Sequence, residues 1–265
     1  MIGLFLDEGP ISRCYLELTK RKDFKFNEII YLGKKTLFPK NLYINYKFNL
    51  INRKPLIFLK DKNIDKLIRD VEEYFNLGYN FFKDAYRYYD ISNRCQKFYF
   101  SKSLNINSRE NIKILQETKS LRFLNSGKVI LKEILDQNKD FLHIHPAYLP
   151  EIKGADGSLW NIVKKKNFAG SFFVLDKKID NGDIIFRDSF KLKKFKYLDS
   201  KYIVNFYDIW FSFIDPAIRC NILEKVITNK HLNGKPGINS IGGEYFTFMS
   251  KEDRTEILKE MLLKS

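Results

Sequence analysis

Cysteine, histidine and methionine are scarce, three of each in a chain of 265 residues. Cys14, Cys95 and Cys220 stand far apart, without the paired spacing of a zinc ribbon or a disulfide framework. Inert thiols in a reducing, cytoplasmic setting are therefore expected. No apolar run approaches the ~20 residues of a membrane helix, and the opening MIGLFLDEGP carries acids where a signal peptide carries bases. A soluble chain with no membrane partner follows as the expectation. The turn after the first apolar run holds the single glycine Gly9, which excludes a Gly-x-Gly-x-x-Gly dinucleotide fingerprint there. Acids are also short, 32 against 47 bases, for a net charge of +15. Such a surplus attracts polyanions. Here it is spread as lysine among Asn, Ile, Phe and Tyr, so a phosphorylated small molecule is the preferred partner and nucleic acid the alternative.

What is present alternates between strand and helix patterns. Residues 2–6 and 28–32 read as strands with an amphipathic helix over 12–20 between them, and 56–59 reads as a third strand after a polar stretch over 41–54. Helical spacing returns over 64–75. The stretch 79–100 interleaves aromatics with Lys83, Arg87, Arg94 and Lys97. Stacking on bases is one use of such a pattern; an amphipathic helix facing the core, then a strand, is the reading preferred here. Ser108 is placed to cap a helix over 111–117, residues 121–124 form a strand, and 129–135 the next helix. Alternation of this kind predicts an α/β fold, a mostly parallel twisted sheet with helices on both faces. Ligands bind beyond the carboxyl ends of such strands, where 125–128 and 143–148 would lie.

The centre of the chain is FLHIHPAYLPEIKGADGSLWNIVKKKNFAGSFFVLDKKIDNGDII, residues 141–185. His143 and His145 alternate with apolar residues, so on a strand both face one way. After a glycine-containing loop and a second apolar run comes the turn Asp180-Asn181-Gly182-Asp183. Two imidazoles and a carboxylate so arranged suit proton transfer or, with an open position, zinc. Only His231 remains as a further imidazole, which excludes His-rich hydrolase sites, and no metal is expected.

Three separated pieces, His143-Ile144-His145-Pro146-Ala147-Tyr148-Leu149-Pro150, then Lys153-Gly154-Ala155-Asp156, then Ile179-Asp180-Asn181-Gly182-Asp183, resemble the folate-dependent formyltransferases in order and spacing. The stretch FLNSGKVIL, residues 123–131, is similar to the strand and loop that line that family's folate pocket. The resemblance covers about residues 105–187 and implies a Rossmann-like fold. It also implies transfer of a formyl group from 10-formyltetrahydrofolate to a primary amine. His145 then matches the family's histidine, Asp180 its proton-handling aspartate, and His143 stands where the family has asparagine. A neutral imidazole donates one hydrogen bond, so His143 is expected to replace the amide as donor to the formyl oxygen. Asn125, Ser126, Gly127, Lys128, Asp176 and Ile179 are the implied folate contacts. A methionyl-tRNA formyltransferase-like or polyanion-binding relative, and a formyltetrahydrofolate hydrolase, stay open as alternatives.

Beyond residue 190 the composition changes to KLKKFKYLDSK. A catalytic domain over 1–190 and a C-terminal extension over 191–265 are predicted. The extension is read as two helices, 202–213 and 216–227, broken at Asp215-Pro216, then a β-hairpin over 234–249. This tail does not resemble the long β-barrel of the tRNA-acting member. GKPGINSIGGEYFTFM resembles, weakly, the close of formyltransferases acting on nucleotide-linked amino sugars of surface polysaccharides, which implies such an amine as substrate. Assembly as a homodimer stays open.

Overall fold

The computed structural model describes residues 1–7, 9–32, 54–86, 92–127, 132–238 and 241–264. Its first half runs β1 (Ile2–Leu6), α1 (Pro10–Arg21), β2 (Phe26–Leu32), α2 (Lys54–Phe58), α3 (Lys62–Tyr74), α4 (Phe81–Tyr86), β3 (Cys95–Ser101), α5 (Arg109–Gln116), β4 (Arg122–Asn125) and β5 (Asp140–His145). The second half runs β6 (Ile152–Gly154), α6 (Gly157–Lys165), β7 (Asn167–Val174), β8 (Ile184–Lys191), α7 (Phe206–Ile209), α8 (Asp215–Thr228), β9 (Glu244–Phe246) and α9 (Lys251–Leu262). The main sheet has the order β3-β2-β1-β4-β5-β7-β8. Pairing is parallel from β3 to β5 and antiparallel across β5, β7 and β8. It is the mostly parallel α/β sheet expected from the alternation of patterns. Among the described residues no helix is long and apolar enough to cross a membrane.

The period of two along the strands sorts the core into two layers. Leu4, Leu6, Leu124, Leu142 and Ile144 join one cluster with α1, α3, α4 and α8, whereas Phe5, Phe123 and Phe141 join another with Leu115 of α5. Helix starts follow local chemistry. Asp61 accepts the Asn63 N–H at 2.9 Å and Ser108 accepts that of Asn111 at 3.2 Å, each satisfying a donor the first turn leaves open. The aromatics of 79–86 serve the core: Phe81, Phe82 and Tyr86 are fully buried, and Tyr79 is exposed.

Four expectations are corrected. Residues 56–59 belong to helix α2 and the turn after it, because Pro55 fixes a helical φ at its start and Phe58 turns inward against Phe213. Within the expected helix over 129–135, residues 129–131 lie outside the described residues, and Glu133–Asp136 is a single 3₁₀ turn. The chain does not break at Asp215-Pro216, where α7 passes through a π-turn at Trp210–Ile214 directly into α8. Pro216 lacks the N–H that an α-helix would aim at the Ser212 carbonyl, and the buried Tyr86 hydroxyl donates to that carbonyl instead. Among the described residues of 234–249 there is no hairpin; strand β9 pairs in parallel with β6, and Ser250 caps α9.

The expected boundary at 190 does not divide the packing. Trp210, Phe213, Ala217, Ile218 and Ile222 lie in the same cluster as Leu4, Tyr15 and Ile144. Helix α8 is therefore part of the body that carries the sheet, and it reaches the end of β5.

Candidate active site

A cleft of about 330 Å³ opens beyond the carboxyl ends of β4 and β5, next to the point where the sheet changes from parallel to antiparallel. His143, His145 and Asp180 all line it. Both histidines share the parity of Phe141 on β5, so the strand brings them to one side as its alternation requires.

His143 is half-buried. Its Nδ1–H donates to the Asn125 carbonyl at 3.0 Å, which leaves Nε2 as an acceptor 3.4 Å from Nη1 of Arg219. Burial first, and the Arg219 guanidinium second, push its pKa down to about 4, so the ring is neutral at pH 7. With its one N–H engaged, a neutral His143 in this tautomer has none left for a substrate oxygen. The donor role that the resemblance implied for it is not available in this arrangement.

His145 is buried, and its Nε2–H donates to the Ile152 carbonyl at 3.1 Å. Its Nδ1 lies 3.5 Å from Oδ2 of Asp180. Burial holds this imidazole below its ordinary pKa, against the pull of Asp180. A lone pair and a carboxylate thus face each other across a gap that one proton can occupy. The ring packs against the start of α6, where a Cβ on Gly157 would stand 2.7 Å from it.

Asp180 is held from several sides. It sits at φ 49°, a left-handed backbone that a short polar residue tolerates, and its Oδ2 accepts the Gly154 N–H at 2.9 Å. Gly154 has φ +96°, and a Cβ there would stand 2.0 Å from the Phe246 carbonyl, so β9 closes over β6 only because this residue is glycine. Lys153 Nζ donates to Asn181 Oδ1 at 2.7 Å and braces the turn. Gly182 fits tightly as well, since a Cβ would meet the Val174 carbonyl at 1.5 Å.

Among the residues expected to contact a folate, Asn125, Gly127, Asp176 and Ile179 line the cleft. Ser126 turns away from it. Its hydroxyl donates to the Phe5 carbonyl and pairs with Ser12 Oγ, both at 2.6 Å, which ties β4 to β1 and α1. Lys128 lies outside the described residues. Among the described residues no group of three or more His, Cys, Asp and Glu side chains is arranged to hold a metal ion.

Sequence reasoning missed Asp215 and Arg219 on α8 and Tyr207, and gave no role to Asp156 of the Lys153–Asp156 piece; all four line the cleft. Arg219 Nε donates to Asp215 Oδ1 at 2.8 Å and Nη1 to the Ile144 carbonyl. Burial alone would lower the Arg219 pKa, yet Asp215, Tyr15 and Asp180 together raise it, so the group is a fixed cation. The only sequence signal was an acid and a base four apart in the first half of α8, where the positions between them are mostly apolar. Asp156 accepts the Tyr207 hydroxyl at 2.8 Å and the Met249 N–H at 3.1 Å, joining the start of α6 to α7 and to the chain before α9.

Neither a protein-family model nor a curated protein sequence matches the chain. Solved structures do match in fold. A sugar N-formyltransferase from a Shewanella species superposes with a TM-score of 0.52 at 13% identity, covering 98% of this chain and 87% of that one. An N-formyltransferase from Helicobacter canadensis, solved with folinic acid and dTDP-3-aminofucose, gives 0.50 at 14% identity, covering 98% and 80%. The fold is that of the formyltransferases.

Proposed function

We propose that the chain is an N-formyltransferase that moves the formyl group of 10-formyltetrahydrofolate to the primary amine of a nucleotide-linked amino sugar, in the cytoplasm, for a surface polysaccharide. The observation that carries this reading is the convergence of His143, His145 and Asp180 on one cleft at the strand ends of this fold. The ligand classes are those of the Helicobacter canadensis structure, a folate and a sugar nucleotide. The donor would supply an electrophilic formyl carbon. Ile11, Leu175 and Ile179 offer apolar wall for a flat ring, with Asn125 and Asp176 as polar groups beside them. An amine that attacks the formyl carbon gains positive charge and must lose a proton. Asp180 and His145 Nδ1, 3.5 Å apart, can share that proton and later return it to the departing nitrogen. The three free cysteines accord with a reducing compartment.

The test is incubation of the protein with 10-formyltetrahydrofolate and a panel of nucleotide-linked amino sugars that begins with dTDP-3-aminofucose. Tetrahydrofolate release is followed by absorbance, and the formamide product by mass spectrometry. Turnover of any member with folinic acid as competitor supports the proposal. No turnover across the panel, together with no heat of folinic acid binding, overturns it. Formate release without an amine would reassign the cleft to hydrolysis.

A further inference from the structure

We propose that Arg219, rather than either histidine, donates to the formyl oxygen as negative charge develops on it, with His143 as a positioning residue; this deepens the formyl-transfer reading and rests on it. Each neutral imidazole has its N–H engaged with a carbonyl, His143 with Asn125 and His145 with Ile152. Neither is then a donor to the cleft. A guanidinium carries five N–H groups and keeps its charge at any working pH. Among the described residues, the lysine and arginine side chains lining the cleft are Lys177, Lys178 and Arg219, of which Arg219 is buried, 8% exposed, whereas both lysines are exposed and Lys177 is paired with Asp136.

The guanidinium is also preorganised. Asp215 takes its Nε–H at 2.8 Å, and the other oxygen of Asp215 accepts the Ser158 hydroxyl at 3.2 Å. That hydroxyl in turn accepts Trp210 Nε1–H at 3.0 Å, so the carboxylate cannot turn away. On the other side, Nη1 faces the Ile144 carbonyl and, at the long distance of 3.4 Å, His143 Nε2. A contact of that length is readily exchanged for a better acceptor. The buried Tyr15 hydroxyl of α1 also lies against the guanidinium. A fixed donor in a partly dry site is the arrangement that stabilises developing charge without reorganisation.

The amine lone pair forms the new C–N bond while the carbonyl π pair moves onto oxygen, where Arg219 donates. One proton leaves the amine for the Asp180–His145 pair. The oxygen pair then re-forms C=O, the bond from carbon to N10 breaks, and N10 takes the proton to give tetrahydrofolate and the formamide. No oxidant or reductant is needed.

The experiment compares wild type, Arg219→Ala, Arg219→Lys, His143→Asn and His143→Ala, using 10-formyltetrahydrofolate and dTDP-3-aminofucose or the panel member turned over fastest. Arg219→Ala is expected to lower kcat by about a hundredfold or more, the scale for one such donor. Folinic acid affinity should stay within about threefold of wild type, because the guanidinium acts on the developing charge more than on the bound ground state. Added guanidinium chloride should restore kcat of Arg219→Ala severalfold and leave Asp180→Asn unchanged. His143→Asn keeps an acceptor for Nη1 and should retain more activity than His143→Ala. Should Arg219→Ala fold poorly with Asp215 left alone, the double variant Arg219→Met with Asp215→Asn carries the same expectation for kcat. A kcat within tenfold of wild type, absence of rescue, or equal loss of kcat and folinic acid affinity would overturn the assignment. If wild type neither turns over any amine nor binds folinic acid, the formyl-transfer reading has failed and this one with it.

Discussion

Asp215→Asn gives the most direct measure of what holds Arg219 in place. Asp215 is fully buried and Arg219 is 8% exposed, with Nε and Oδ1 2.8 Å apart. Removing one charge from such a pair leaves the other buried without compensation, at a cost of ~3–5 kcal/mol. Asparagine keeps an oxygen that can accept from Nε, so the lower end, about 3 kcal/mol, is expected. With a urea m-value of about 3 kcal/mol/M for a chain of this size, the midpoint should fall by about 1 M at unchanged slope. The double variant Asp215→Asn with Arg219→Met removes both charges and should be roughly 1–2 kcal/mol more stable than Asp215→Asn alone, since the unpaired cation is gone. Urea unfolding followed by circular dichroism and by tryptophan fluorescence measures each variant, and coincident transitions check the two-state assumption. A loss under about 0.5 kcal/mol for Asp215→Asn, or single-variant losses that simply add in the double, would show that the carboxylate does not anchor the guanidinium.

Two further outcomes follow from the site. His143 falls from 6.5 to about 4 in the folded chain, so the unfolded chain takes up its proton first as pH drops. The contribution is complete above pH 6.5 and shrinks toward pH 4, by about 2 kcal/mol at pH 5. Urea midpoints at pH 8 and pH 5 should show this slope in wild type and a smaller one in His143→Asn; equal slopes would refute it. Gly154→Ala puts a Cβ 2.0 Å from the Phe246 carbonyl at a backbone angle of +96° and should cost about 1–3 kcal/mol, while Gly237→Ala, with nothing within 4 Å, should stay within about 0.5. Thermal melts of the two variants settle this, and equal melting temperatures would refute it.

The parallel half of the sheet was legible because its strands alternate with helices that carry their own start signals. Ile2–Leu6 is apolar throughout and ends at an Asp and a Gly-Pro step, and Ser108 caps the helix it precedes. Residues 56–59 were not legible, since four apolar positions fit one helical turn as well as a strand, and the deciding group, Phe58, depends on Phe213 far along the chain. Pro216 misled for a related reason. A proline breaks a helix when its missing N–H strands a carbonyl, and here Tyr86, 126 residues away from Ser212, satisfies that carbonyl. No window around residue 216 contains that information.

The site divides along the same line between local and distant causes. That His143 and His145 face one way follows from strand alternation alone, and that Asp180 sits on a tight turn follows from Asp-Asn-Gly-Asp. Which nitrogen of His143 carries the proton does not follow from either. It is set by the Asn125 carbonyl on the neighbouring strand, which takes Nδ1–H, and by Arg219 on a helix 76 residues away, which faces Nε2. Those two contacts turn an imidazole expected to donate into one that accepts, and they place a cation at its tip. Residue type at position 143 therefore specifies what the ring is able to do, while its neighbours across the fold specify which of its two roles is open.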